Sequence, residues 1–175
     1  MTLLLSLLLH ALPATSLPAT GGGSISLAAE VAAHELTVVL FFSAECPVQR
    51  SHDARFLELV KAYEGRGVHF IAVDAQSNAS IEKATEQAAR RQYPFPLVVD
   101  VEGTWADALG ARFTTTVAVI DRQGVTRYLG GIDSDRVTLT ETATPFLRDA
   151  LEAVLGGREV PNAQTKALGC VLRRR

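Results

Sequence analysis

Residues 36–50, read LTVVLFFSAECPVQR, constrain the fold more than any other stretch of the chain. Leu36 through Phe42 is too short and too continuously apolar for a surface helix, and Thr37, Val38 and Val39 favour the pleat, so the run predicts a buried central strand. Ser43-Ala44-Glu45 then turns the chain and delivers Cys46 and Pro47. A proline is best tolerated in the first turn of a helix, where its missing N–H had no intrahelical partner to lose. The pattern therefore predicts a helix that starts at or beside Cys46. A thiol in that place faces unpaired backbone N–H groups and the positive end of the helix dipole, which favour thiolate and lower the pKa below the free value of about 8.5. The alternative is a small core residue, because free cysteine is among the residue types most often buried.

The remaining elements can be set around that strand. Ser26 is placed to cap a short helix through Ala33, since LAAEVAA is rich in helix formers. Phe56, Leu57, Leu59, Val60 and Tyr63 recur at helical spacing, so the helix after Cys46 is expected to reach about Tyr63 and stop at Gly65 or Gly67. Val68–Val73 reads as another strand covered on both faces, with Asp74 at its end. A helix over 79–92, a strand over 95–99, a short helix over 104–109, a hairpin pairing 116–120 with 125–129 and a closing helix over 141–155 follow. Parallel strands joined by helices early, with an antiparallel hairpin and helix late, predict an α/β fold whose mixed sheet has helices on both faces. Chemistry in such sheets collects at the carboxyl ends of the strands, where Cys46 lies.

The 175 residues fit one domain of ordinary size, and 47% apolar and 21% charged residues with a net charge of −2 give the profile of a globular protein without a nucleic-acid footprint. Arg173-Arg174-Arg175 reads as a solvated terminus. Leu3–Leu9 has the length of a secretory h-region and is far short of a bilayer span, with Ala14-Thr15-Ser16 and Ala19-Thr20-Gly21 as cleavage sites, although no Lys or Arg precedes it. Gly21-Gly22-Gly23-Ser24 reads as a flexible linker. The expected organisation is a signal peptide and linker over 1–23, one domain over 24–157 and a tail over 158–175 that carries Cys170.

FFSAECPVQR followed by VHFIAVDA, PLVVDVEG and VAVIDRQGVTRYLGGID, with the tail V-P, T and GC of residues 160–170, resembles the thioredoxin-like redoxins of the alkyl hydroperoxide reductase/thiol-specific antioxidant superfamily, in particular extracytoplasmic members with a CPV or CPI sequence. The likeness runs from about Ser26 to Cys170 and implies a thioredoxin-like three-layer fold. It also implies departures. The second cysteine of a C-x-x-C pair is replaced by Gln49, so any disulfide involves Cys170 or another molecule. The proline and threonine that precede a peroxiredoxin's reactive cysteine correspond to Val39 and Ser43; serine keeps the hydroxyl. The family's arginine aligns with Thr114-Thr115-Thr116, and neither Arg50 nor Arg112 matches it residue for residue. Thr115 stands where thioredoxins have a cis-proline, and a cis bond before a non-proline costs about 2.5–4 kcal/mol, so a trans bond is expected.

His34, His52 and His69 raise metal binding, but copper-delivery relatives use two cysteines in one loop, and this loop has one, so no metal site is expected. Asp74, Asp100 and Asp121 each end a strand and read as turn or cap residues rather than proton shuttles. The expectation is a thiol-dependent oxidoreductase without a cofactor, with Cys46 as the redox-active thiolate and Cys170 as resolving partner, supported by Ser43, Pro47 and Thr115. Its partners would be a peroxide or a protein thiol or disulfide, and an external thiol reductant. The second reading is a noncatalytic thioredoxin-like binding domain with a structural disulfide.

Overall fold

The computed structural model describes residues 12–173, so the apolar leader segment Leu3–Leu9 lies outside the described residues. The chain runs β1 (Ser16–Pro18), β2 (Ser24–Ser26), α1 (Leu27–Ala33), β3 (Leu36–Phe42), α2 (Pro47–Ala62), β4 (Val68–Asp74), α3 (Ile81–Arg91), β5 (Leu97–Val99), α4 (Thr104–Ala108), β6 (Val117–Asp121), β7 (Thr126–Gly130) and α5 (Phe146–Leu155). Five strands form one mixed sheet in the order β5-β4-β3-β6-β7. β3 pairs parallel with β4 and antiparallel with β6, so the strand that ends before Cys46 is central, and every one of its seven residues is buried.

The period-two alternation of β3 divides the core. Leu36, Val38, Leu40 and Phe42 point to one face, where α2 supplies Phe56 and Leu59, its C-cap supplies Tyr63, and α5 supplies Leu147, Ala150 and Leu151. Val39 and Phe41 point to the other, against Leu27 and Val31 of α1, Trp105 of α4 and Leu172 of the tail. This is the thioredoxin-like layering expected from the sequence. Helix α1 is capped by Ser26, whose hydroxyl accepts from Ala29 N–H at 3.4 Å.

Two sequence expectations differ from the structure. Gly21–Gly23 are the turn of a hairpin, all three at positive φ, rather than a flexible linker. β1 pairs with β2, buries Leu17 and Ala19, and continues onto the edge strand β5, where Thr20 N–H donates to the Leu97 carbonyl at 2.9 Å. The closing helix begins at Phe146 instead of Glu141. Pro145 disfavours helical geometry in Thr144, and Thr140 is already engaged by Asp135, so 131–145 is a loop. Among the described residues no helix is long and apolar enough to cross a membrane.

Candidate active site

Helix α2 starts as the sequence predicts, with Cys46 at the N-cap and Pro47 at the first helical position. Cys46 is 2% exposed, and its own N–H donates to the Ser43 carbonyl at 3.2 Å, which closes the turn. Ser43 is buried beside it; its backbone supports the cysteine. The carboxyl-terminal tail folds back over this end of the sheet and brings Cys170 to the same threonine that contacts Cys46, with both cysteines as free thiols.

Thr114 joins the two cysteines. Its hydroxyl donates to Cys46 Sγ at 3.1 Å and accepts from Cys170 N–H at 2.9 Å, while its own N–H donates to the Cys170 carbonyl at 2.8 Å. Gly169 makes the approach possible: a Cβ there would meet the Thr114 carbonyl oxygen at 2.0 Å. Thr115, the residue at the family's cis-proline place, is held by donation of its N–H to the Phe41 carbonyl at 2.8 Å. No cis peptide bond occurs among the described residues, in line with the expected trans bond. Thr115 has φ 62°, a left-handed conformation that costs a β-branched residue about 1–2 kcal/mol.

The electrostatics separate the two thiols. Burial works to raise the Cys46 pKa, but hydrogen bonds from the Cys170 thiol, the Thr114 hydroxyl and the backbone N–H groups of Gln49 and Cys170 outweigh it and hold the thiol below its ordinary value. Cys170 is raised by burial, by its hydrogen bond to Cys46 and by the negative charge there, and is partly relieved by Arg136. Of the two thiols, Cys46 is therefore the one that ionises first, and Cys170 is the one that keeps its proton. Among the family-derived arginine candidates, Arg50 and Arg112 are exposed.

Beside Ser43 lies a cavity of about 150 Å³ lined by Phe42, Ser43, Glu45, Asp74, Asn78 and Lys83. Burial raises the Asp74 carboxyl to about 6, against a hydrogen bond from Gln76 N–H. Asp100 and Asp121 are cap and turn residues as expected: Asp100 accepts from the N–H groups of Thr104, Trp105 and Ala106, and Asp121 from those of Gln123 and Val125.

Residues 10–143 match the model of the redoxin family. This chain belongs to the redoxin family. Among solved structures, the redoxin is similar to a hypothetical protein from Sinorhizobium meliloti 1021 at 26% identity, covering 92% of this chain and 91% of that one with a TM-score of 0.83. It is also similar to an uncharacterised conserved protein from Geobacillus kaustophilus at 27% identity, covering 93% and 90% with a TM-score of 0.81. The bacterioferritin comigratory protein of Xanthomonas campestris, described with alkyl peroxide reduction activity, shares the fold at 17% identity and a TM-score of 0.62, covering 84% of this chain and 93% of that one. No curated protein matches the redoxin.

Sequence reasoning missed Thr114, Gly169 and a buried cluster on the inner face of α2. His52 Nδ1 lies 2.9 Å from the Val48 carbonyl and Nε2 lies 3.1 Å from Asp133, whose other oxygen accepts from Arg55 at 2.5 Å. Both imidazole nitrogens face acceptors, which favours the doubly protonated ring; against desolvation, the Asp133 hydrogen bond raises the His52 pKa. His52 fastens α2 to the loop after β7. The adjacent Thr114-Thr115-Thr116 run was a visible signal for the site, but nothing in it singled out the first threonine.

Proposed function

We propose that the redoxin is an extracytoplasmic thiol peroxidase or thiol-disulfide oxidoreductase of the CPV type, in which Cys46 is the attacking thiolate and Cys170 the resolving thiol. The observation that carries this reading is the placement of Cys170 against Cys46, with the Thr114 hydroxyl on the sulfur. With a peroxide as substrate, the Cys46 thiolate attacks one oxygen and the O–O bond breaks. Cys46 becomes a sulfenic acid, and the departing alkoxide or hydroxide takes up a proton and leaves as alcohol or water. The Cys170 sulfur then attacks the Cys46 sulfur, the S–S bond forms, and the displaced hydroxide leaves as water with the Cys170 proton. An external dithiol, itself oxidised to a disulfide, returns both cysteines to thiols. A protein disulfide would enter the same cycle by exchange at Cys46.

Hydrogen peroxide consumption with dithiothreitol as reductant tests the assignment. Cys46→Ser should fall to the uncatalysed rate. Cys170→Ser should still take up oxygen at Cys46, read by mass spectrometry as one or more added oxygen atoms, without forming the internal disulfide. Equal consumption by wild type and Cys46→Ser, or an internal bridge that resists mild thiol reductants, would favour the noncatalytic domain instead.

Export is the second element of the proposal. Cleavage after Ala14-Thr15-Ser16 would keep Leu17 and Ala19 in the core, whereas cleavage after Ala19-Thr20-Gly21 would remove both; either cut removes the Thr15 carbonyl from the Trp105 indole N–H, 2.9 Å away. The first site is therefore preferred. Amino-terminal mass analysis of the natively expressed protein should find a start between Ser16 and Ser24, at Leu17 for the preferred site; an intact leader would overturn export.

A further inference from the structure

The end of the sheet opposite Cys46 carries a second cluster that the thiol chemistry does not use. Glu30 on α1, His34 at the end of that helix and His69, second residue of β4, each offer one ligand atom, and these atoms all lie within 4.8 Å of one another. The His34 and His69 rings stack with centroids 4.1 Å apart and planes 9° from parallel. His69 Nε2 is buried and 3.2 Å from Glu30 Oε2, yet it makes no hydrogen bond of good geometry. The His34 ring is fixed by its Nδ1, 2.8 Å from the Glu30 carbonyl, and the same carbonyl accepts from the Thr37 hydroxyl at 3.5 Å. Stacked imidazoles disfavour a charge on both rings.

We propose that Glu30, His34 and His69 form a binding site for a divalent transition-metal cation of the zinc class. Two imidazole nitrogens and one carboxylate oxygen are a donor set suited to Zn2+, with water in the remaining position. Ligand bonds of about 2.0–2.1 Å place tetrahedral donors about 3.4 Å apart, so the ion would draw the two rings out of their parallel stack until both nitrogen lone pairs converge on it. The carbonyl contact of His34 is the kind of outer hydrogen bond that orients a metal-binding imidazole. His34 and Glu30 are 35% and 28% exposed and His69 26%, which leaves a path for the ion from solvent. Bound metal ties α1 to β4 at the end of the sheet remote from the cysteines. The site is independent of the proposed redox reaction.

The test uses the full chain with both cysteines alkylated, so that the thiols do not compete for metal. Titration with Zn2+ by calorimetry should show one equivalent. Co2+ should give d–d absorption without thiolate-to-cobalt charge transfer. Glu30→Gln and His69→Asn should each weaken Zn2+ binding about tenfold or more, and Zn2+ should raise the thermal midpoint of the wild type but not of His69→Asn. Because Glu30 is partly exposed on a helix, Glu30→Gln keeps the test decisive should the histidine variant unfold. Absence of binding at about 1 mM Zn2+, or unchanged affinity in Glu30→Gln, would overturn the site.

Discussion

The amino-terminal hairpin and the carboxyl-terminal tail cover opposite edges of one sheet, the first largely through apolar side chains and the second largely through backbone hydrogen bonds. The hairpin lies on β5, buries Leu17 and Ala19 against the same face as Trp105, and receives the Trp105 indole N–H on Thr15. The tail lies on β7, where Leu129 N–H donates to the Ala163 carbonyl and Thr165 N–H to the Leu129 carbonyl, and further along Leu172 N–H donates to Arg112. Its apolar anchors are few, Ala167 and Leu172, and Val171 between the cysteine and Leu172 is 60% exposed. Both segments protect an edge that would otherwise invite pairing with another chain. The difference teaches that the hairpin is built for stability and the tail for placement: ordering by hydrogen bonds and close glycine contacts sets Cys170 at Cys46 while leaving little apolar area to hold it there.

Removing the hairpin should break the comparison most strongly. A chain starting after Gly21 loses Leu17, Ala19 and the Trp105 partner, and should be destabilised by about 3–5 kcal/mol in urea unfolding, within the range of large core deletions. A chain ending after Ala163 should lose less than half as much, and it should lose the internal disulfide entirely. If the two truncations cost the same, the assignment of stability to one segment and placement to the other fails.

Gly169→Ala sharpens the same contrast within the tail. The added Cβ would meet the Thr114 carbonyl oxygen at 2.0 Å, so the backbone must retreat. The expected result is at least about a tenfold slower Cys46–Cys170 disulfide formation, with a stability change of about 1 kcal/mol or less, because the segment buries little. Quenched-flow alkylation with mass analysis reads the first, and urea unfolding of the reduced protein reads the second.

How much of this was legible follows the range over which each feature is encoded. β3 was readable to the residue because a strand covered on both faces has one unbroken apolar run, and Cys46-Pro47 because capping chemistry is local. The hairpin was not, since three consecutive glycines read as a linker in composition and become a turn only when β1 finds the β5 edge. The closing helix was extended too far because Pro145 was outweighed by the apolar pattern beyond it. Cys46 is 68 residues from Thr114, and Thr114 is 56 from Cys170, so only the fold reveals which threonine reaches the sulfur. The sequence weighed His34 and His69 against a cysteine loop at the other end of the sheet, and their neighbour Glu30 entered only with α1 in place.

A smaller effect is expected from Thr114→Val, which keeps the shape of the residue but removes the hydroxyl that donates to Cys46. The Cys46 pKa should rise, and iodoacetamide alkylation near neutral pH should slow by about threefold to tenfold, with the inflection in the rate-pH profile moved upward. An unmoved inflection would mean that the helix N–H groups and Cys170 alone set the thiolate.

The smallest expected effect lies on α2 and concerns stability against pH. His52 is raised in the folded state, so its contribution is fully present below the unfolded value of 6.5 and is lost as pH rises through the folded pKa. Asp133 is lowered despite desolvation, chiefly by its hydrogen bonds to His52 and Arg55, so its contribution is present above 3.8 and is lost as pH falls through the folded pKa. The pair therefore stabilises most between about pH 4 and 6.5. Cys46 titrates in the opposite sense, since its folded pKa is lowered and its contribution grows with pH. The measurement is thus best made on Cys46→Ser, comparing urea unfolding from pH 6 to 9 with and without His52→Gln. Stability should decline across that range when His52 is present and stay flatter when it is replaced. A parallel decline in both proteins would assign the slope to other groups and leave the buried imidazole neutral, with one of its two acceptors unsatisfied.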